Sequence, residues 1–409
     1  MSAAEARGAR PDEVDRAIEC CGAAFGGKDA QRAAHMTDFF ARIHKEDPNF
    51  RPENSRVVLF NGRIVSVVQI FERETLIGGV PVKMGGLGSV GTLPQFRRRG
   101  FGTLALQDAL RFMEREGYDL SLLFTGIHDY YAREGWRVFE HASALTASVP
   151  QGLANDGAGG RRPVRWPEEL PALMRLYNQF NRGATGPIQR SEAYWLRHVR
   201  WRPFEERQFT AAYENGRMVA YLRYSGDGML EEAAYVQGGR AAAASLAVEA
   251  LRGREQTRVM PGALTLRRGL EGRGFAFQEE PLRWLMFRIV NLKSLLKKLA
   301  PGMAERLQNS PASEWGADAV RRIRIEAELT EPAELKIDGG SVEVVDVDPS
   351  DEGGLSVRLK LTHAEAIDLV LGQLPVETAL PIGVSDEAQE AVKSLFPMRR
   401  YVWHSRDNF

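Results

Sequence analysis

Two hydrophobic periodicities alternate along this chain and change over at turn residues. Between Asp12 and Phe25 apolar side chains recur at helical spacing, and a more polar helical stretch covers Asp38 to Glu46. RVVLF from Arg56 and RIVSVVQIFERE from Arg63 then alternate as strands do. Asn61-Gly62 between them predicts a hairpin, because both residues tolerate the positive φ of a two-residue type I′ turn. LIGGVPVKMGGLGSVGTL carries the strand pattern to Leu93, TLALQDALRFMERE from Thr103 returns to helical spacing, and YDLSLLF from Tyr118 reads as a buried strand. A turn GIHD, a short helix YYAREG and closing strands in WRVFEHASALTASV complete the segment to Val149.

Gln151 to Arg162, QGLANDGAGGRR, has the composition of a linker and places a boundary there. Beyond it LPALMRLYNQFNR and EAYWLRHV are helical, FTAAYENGRMVAYLRYS repeats the strand, Asn-Gly, strand theme, and RAAAASLAVEALRGR is again a helix. Residues 151–285 therefore read as a diverged copy of residues 1–150. Arg268 and Gly272 form a basic, glycine-containing turn, but in a different order from anything in the first copy, and they read as structural. The last region, 286–409, opens on FRIVNLKSLLKKLAPGMAERL, an amphipathic helix with a basic outer face. Strands in VRRIRIEAEL, AELKIDGGSVEVVDV and GLSVRLKLT follow, and the helices HAEAIDLVLGQL and DEAQEAVKSLF close it. The fold class is α+β, with helices flanking mixed sheets in three modules.

Composition narrows the function classes. At 409 residues and 44% hydrophobic content the chain can bury more than one core. Lys plus Arg and Asp plus Glu are both 54, so the formal charge is zero and a polyanion partner such as nucleic acid is not indicated. The two cysteines, Cys20 and Cys21, are adjacent and cannot staple a fold, which fits a reducing cytoplasm. The N-terminus is polar and acidic rather than a signal peptide, and no apolar run reaches membrane-spanning length. No metal is predicted.

The stretch with chemistry in it is VGTLPQFRRRGFG, Val90 to Gly102. An apolar run ends at Pro94; Arg97, Arg98 and Arg99 follow; Gly100 and Gly102 then open a helix. Strand, basic turn and helix in that order suit a diphosphate beside an extended organic arm. Free first-turn amides and the positive end of the macrodipole favour phosphate, and glycine lets the backbone approach it. No G-x-x-x-x-G-K-[ST] occurs, and the pair Gly100 and Gly102 lacks the G-x-G-x-x-G spacing of a dinucleotide fold, so neither of the commoner phosphate cradles fits this turn. The spacing Arg97, Gly100, Gly102 resembles the Q/R-x-x-G-x-G/A signature of the Gcn5-related N-acetyltransferases. That resemblance implies acetyl-coenzyme A as cosubstrate, held by Val90, Gly91, Thr92, Arg97, Arg98, Arg99, Gly100, Phe101, Gly102 and Thr103.

Further along, YYAREGW, MFRIVNLKSLL, SLFP, the order of the modules and the final phenylalanine are similar to the Eis-like (enhanced intracellular survival) branch of that superfamily. There a catalytic acetyltransferase fold is followed by a degenerate second one and a sterol-carrier-like module. The resemblance implies acetyl transfer to primary amines, including aminoglycosides in some members, by a hexamer. The reading from a different class is a lipid or small-ligand carrier that keeps an acetyltransferase shell; an intact RRRGFG together with Tyr131 argues against it.

Acetyl transfer to an amine needs a donor for the carbonyl oxygen, an acid for the departing thiolate and a base for the attacking amine. A strand that splays before the basic turn would offer backbone amides of Val90, Gly91 and Thr92. For the acid, Tyr130 and Tyr131 follow a strand and its turn, and a phenol near pKa 10 is matched to a thiol near 8.5. The family pattern Y-x-R-x-G-aromatic falls on Tyr131, Arg133, Gly135 and Trp136 and selects Tyr131. For the base, His128 has a suitable ordinary pKa, whereas the Eis-like resemblance implies the C-terminal carboxylate, here of Phe409. The tail FPMRRYVWHSRDNF is aromatic enough to pack inward. Phe25, Phe40 and Asp407 are candidate walls for the acceptor, the last as a charge for a cationic amine. No local spacing distinguishes a sugar amine from a lysine side chain or a polyamine.

Overall fold

The computed structural model describes residues 4–153, 160–202, 205–206, 208–310, 322–338, 340–348, 355–404 and 407. Its first sheet grows from β1 (Glu5–Gly8), β2 (Ser55–Phe60), β3 (Arg63–Ile77), β4 (Val80–Thr92), β5 (Leu120–Phe124) and β6 (Arg137–Val138). The helices α1 (Val14–Gly26) and α2 (Ala30–Lys45) lie between β1 and β2 in the chain, α3 (Phe101–Arg115) between β4 and β5, and α4 (His128–Ala132) between β5 and β6. The hairpin between β2 and β3 turns at Asn61 (φ 52°) and Gly62 (φ 72°), the two left-handed positions that the sequence pair anticipates. β3 and β4 are long because both of their faces are covered: α3 packs on one side, and α1 is packed against both strands.

The second sheet uses β7 (Ser143–Ser148), β8 (Arg161–Pro163), β11 (Gln208–Glu214), β12 (Arg217–Tyr224), β13 (Leu230–Tyr235), β14 (Gln256–Gly262) and β15 (Ala276–Pro281); β9 (Trp201–Arg202) and β10 (Glu205–Glu206) make a small separate hairpin. Its helices are α5 (Leu170–Asn181), α6 (Glu192–Tyr194) running into a π turn at Trp195–Val199, α7 (Arg240–Ala250) and α8 (Arg267–Glu271). Arg268 sits in α8, a structural helix rather than a phosphate turn.

The order of the first sheet is β1-β2-β3-β4-β5-β16-β6, where β16 is Leu285–Ile289; that of the second, read from the other edge, is β8-β11-β12-β13-β14-β7-β15. Position by position these are the same arrangement. Each has one parallel pair, β4 with β5 and β13 with β14, connected through a helix, α3 or α7. The sixth place of each is taken by a strand from outside its own copy, Leu285–Ile289 in the first sheet and Ser143–Ser148 in the second. This corrects two expectations. Ser143–Ser148 was to close the first sheet, yet it pairs with β14 and β15 in the second. The segment around Phe287 was to begin a helix, yet it is a strand between β5 and β6. The apolar alternation was read correctly as strand for Ser143–Ser148, but alternation does not say which sheet a strand joins.

The C-terminal module has α9 (Leu292–Gln308), a sheet ordered β19-β18-β17-β20 and two further helices, α10 (His363–Leu371) and α11 (Asp386–Leu395). Here β17 is Arg322–Ala327, β18 Ala333–Asp338, β19 Ser341–Val345 and β20 Leu355–Leu361. α9 starts at Asn291, whose side chain accepts from Ser294 N at 2.9 Å, and α10 opens on a Thr362–Glu365 capping box and stops at left-handed Gly372. One apolar core runs from β4, β5 and β16 through α9 into this module. At that seam buried Asp119 accepts from Lys83 N, Ser294 Oγ and Lys298 Nζ.

Candidate active site

β4 and β5 start as a parallel pair, but the pairing ends at Leu87 with Leu123, while β4 continues to Thr92. The last residues of β4 therefore have a neighbour only on the β3 side. A bulge opposite Val68 puts Ser89 at φ 51°. Leu93 N donates to Val65 O at 3.0 Å, so by strand alternation Gly91 faces β3 as well and the amide of Thr92 faces the opening. The absent side chain of Gly91 makes room for α1, since a Cβ there would lie 2.9 Å from the Cβ of Ala24.

Past Thr92 the chain turns through Pro94–Phe96 and reaches α3. Arg98 (φ 59°) and Gly100 (φ 82°) are both left-handed, and a Cβ on Gly100 would meet nothing within 4 Å, so this concave turn is open. Leu104 N, bonded to Gly100 O at 2.9 Å, is the first amide to close the helix. Among the described residues the amides of Arg98, Arg99, Gly100, Phe101, Gly102 and Thr103 have no acceptor, which is the condition for an anion site at a helix start.

The three arginines differ. Arg97 donates to Ala24 O at 2.7 Å and to Thr92 O at 3.1 Å, so its guanidinium fastens the end of α1 to the end of β4. Arg99 lies over Phe60, Phe96 and Phe101, 5.0–5.6 Å from the ring centres. Arg98 is exposed.

The tyrosines of α4 also part company. Tyr131 is buried, edge-on to Tyr130 and Trp136, and burial pushes its phenol well above the ordinary value. The Tyr130 hydroxyl lies against the first turn of α3, where a Cβ on Gly102 would be 2.5 Å from it. Gly102 is thus small to admit Tyr130, with Thr92 Oγ1 beside them. His128 opens α4, half-buried, with no partner for its Nε2 among the described residues.

On the α1–α2 side Phe25 is 44% exposed and its ring reaches to 3.6 Å of a Cβ on Gly91, so it borders the opening. Phe40 is buried behind it, 5.0 Å away edge-on, and supports Phe25 rather than forming the wall itself. Asp407 differs from its expected role as a free charge for a cationic amine. It is fully buried, and its carboxylate takes bonds from Arg190 at 2.9 and 3.0 Å. Arg190 pairs at the same time with Glu232, to which Tyr221 also donates at 2.5 Å. Burial alone would raise the Glu232 carboxyl, but Arg190 and His404 beside it hold it well below the carboxylate range. Phe409 and its carboxylate lie outside the described residues. The tail before them is packed inward, as its aromatic character suggests, with Trp403 and His404 buried.

Arg190, Glu232 and the pair His44–Ser89 escaped the sequence reading. Each is a polar residue without a motif, and only the fold brings its partner near.

Residues 5–139 match the family model of the acetyltransferase (GNAT) domain. This part of the chain is a GNAT acetyltransferase domain. The match spans β1 to the residue after β6 and includes the opening, the basic turn and both tyrosines of α4. The protein is accordingly a transferase. No curated protein sequence matches the chain. Solved structures share its fold over the full length. A GCN5-related N-acetyltransferase from Anabaena variabilis is 14% identical over 98% of each chain, with a TM-score of 0.69. A probable N-acyltransferase of unknown function from Enterococcus faecalis is 16% identical over 99% of this chain and all of its own, at 0.71. Eis1 from Mycobacterium abscessus is 16% identical over the same shares, at 0.63. The chain is thus a mixed α+β structure with two GNAT-like folds in tandem ahead of its C-terminal module. No described helix is long and apolar enough to cross a membrane.

Proposed function

We propose that the protein is an acetyl-coenzyme A dependent N-acetyltransferase acting on a primary amine, in a ternary complex within its first fold. The observation that carries this reading is the unpaired end of β4 leading into an open left-handed turn whose amides, from Arg98 to Thr103, lack acceptors. That turn and Arg98 and Arg99 would hold the diphosphate, and the strand end Val90, Gly91 and Thr92 the pantetheine arm, chiefly through the outward amide of Thr92. Acetyl-coenzyme A supplies the activated thioester. The amine nitrogen bonds to the carbonyl carbon as the C–S bond breaks; Tyr131 gives its proton to the leaving sulfur, and the base takes the proton of the amine. Tyr131 is protonated at neutral pH, the form an acid requires, and its burial, which raises the phenol, makes it a weaker proton donor than a free tyrosine.

The base is the carboxylate of Phe409, with His128 as the alternative. Supporting the carboxylate is the anchored tail, since Arg190 and Glu232 fix Asp407 only two positions upstream. The acceptor enters beside Phe25. With Asp407 buried and bonded to Arg190, the acceptor amine is one that does not depend on that charge. We assign residues 1–150 to catalysis, 151–285 to a degenerate second fold and 286–409 to a sterol-carrier-like module that carries the tail. The active assembly is a hexamer in the cytoplasm, in keeping with two free buried cysteines.

Mixing the protein with acetyl-coenzyme A and a panel of aminoglycosides, polyamines and lysine peptides, and following thiol release, tests the reading. Amine-dependent release with at least one class is expected. Acetyl-coenzyme A binding without release in any mixture would leave a binding protein.

A further inference from the structure

The α1–α2 face of the β4 bulge carries a hydroxyl that is held from behind. Ser89 lies just past the last β4–β5 pair and immediately before Val90, in a left-handed conformation uncommon for serine. Its carbonyl takes the Cys21 thiol at 3.3 Å, which ties the bulge to α1. Its Oγ is 2.8 Å from Nε2 of His44, a residue of α2 that is 1% exposed among Phe40, Phe50 and Phe71. The charged group that acts on His44, Asp47, is itself taken up by Arg73.

The direction of the His44–Ser89 bond follows from the other ring nitrogen. Nδ1 is buried with no partner among the described residues. Burial keeps the ring neutral, depressing its pKa to about 3 against the pull of Asp47, so it carries a single N–H. A proton on Nδ1 would be an unpaired buried donor, the more costly alternative, whereas a bare lone pair there is better tolerated. The proton therefore sits on Nε2 and is donated to Ser89 Oγ. That leaves the hydroxyl hydrogen of Ser89 free to donate onward at a place almost closed to water.

We propose that Ser89, oriented by His44, donates a hydrogen bond to the carbonyl oxygen of the acetyl thioester, a bond that strengthens as this oxygen gains charge under attack by the amine. The inference rests on the acetyl-transfer reading. It makes Ser89 a catalytic residue and His44 a positioning residue, and it adds a side-chain donor to the backbone amides of the strand end.

The test binds acetyl-coenzyme A labelled with 13C at the acetyl carbonyl and reads its infrared stretch, together with turnover, in four proteins. In the parent the stretch should be lowered relative to Ser89→Ala. His44→Gln, whose amide can still donate to Ser89, should resemble the parent, and His44→Leu should resemble Ser89→Ala. Turnover should fall by roughly 10²- to 10³-fold in Ser89→Ala, with coenzyme affinity within a few-fold. Combining Ser89→Ala with His44→Leu should cost little more than either alone, because the two act as one unit. A carbonyl stretch indifferent to Ser89→Ala, or losses that multiply in the double variant, would overturn the proposal while coenzyme binding upholds the acetyl-transfer reading. Failure of the parent to bind acetyl-coenzyme A would bring down both.

Discussion

The two seven-stranded sheets are the same arrangement built twice, and they treat the place between their parallel strands in opposite ways. In the first, β4 outlasts β5, and the turn beyond it presents amides without acceptors around a glycine with open space beside it. In the second, the equivalent place between β13 and β14 is filled. A Cβ on Gly262 would lie 2.6 Å from His404 Nδ1, because the tail runs through it. Glu232, one strand position from there, is locked into the Arg190–Asp407 cluster, and Glu231 pairs with buried Arg223. The entry to α7 is closed too: Gly239 is hemmed in by Val219 O, where its counterpart Gly100 faces nothing. An acetyltransferase-like frame can thus keep its opening for a ligand or spend it on packing. The copy without a basic turn instead holds His404 and Asp407 of the tail.

The reciprocal exchange of β7 and β16 means that the copies are separate in pattern but interlocked in space. Residues 1–150 alone would lack the strand between β5 and β6, exposing Leu122 and Leu123 and their neighbours. This fragment should show no cooperative thermal transition in calorimetry, whereas residues 1–290, which restore both sixth strands, should show one. A cooperatively folding 1–150 would break the comparison at its root.

Next in size is the acid of the open copy. Tyr131→Phe keeps the ring in its core and removes the hydroxyl, so turnover should drop by roughly 10²- to 10⁴-fold with coenzyme affinity little changed. Tyr130→Phe, whose hydroxyl lies beside Gly102 at the start of α3, should act mainly on coenzyme affinity. Reversed effects would exchange their roles.

In the closed copy, Asp407→Ala leaves Arg190 with only Glu232 and empties a buried carboxylate position. Arg190 keeps its pair with Glu232, so the loss is that of buried hydrogen bonds, about 1–3 kcal/mol, visible as a lower denaturant midpoint. If tail anchoring serves catalysis, turnover should fall as well under conditions where the variant is folded. A folded variant with full turnover would separate the anchor from the active site.

The smallest expected effect is at Gly102. Gly102→Ala puts a methyl against the Tyr130 hydroxyl and should destabilise by about 1–3 kcal/mol, the range for overpacking. Adding Tyr130→Phe should return most of it, as measured by thermal unfolding. Without that recovery, Gly102 is small for another reason.

These contrasts also mark how far the sequence could be read. Asn61-Gly62 and Asn215-Gly216 announced hairpins because a left-handed pair is a local requirement, and all four residues are left-handed. The basic turn before α3 was legible for the same reason: spacing, glycine and charge lie within one short stretch. The exchange of β7 and β16 was not, since period-two alternation fixes the face of a strand and not its partner. Nor were Arg190, Glu232 and Asp407, which look like ordinary surface charges until three distant segments bury them together. Arg97 shows the intermediate case. Its place in the motif was plain, but its bond to Ala24 depends on where α1 ends.

The central claim is that one opening takes the coenzyme and its copy does not. Backbone hydrogen exchange with and without acetyl-coenzyme A compares the two places in one experiment. The account predicts new protection from Ser89 to Leu104 and none over Leu230–Tyr235, Gln256–Gly262 or the start of α7. Protection confined to the second copy, or no change in the first at saturating acetyl-coenzyme A, would contradict it.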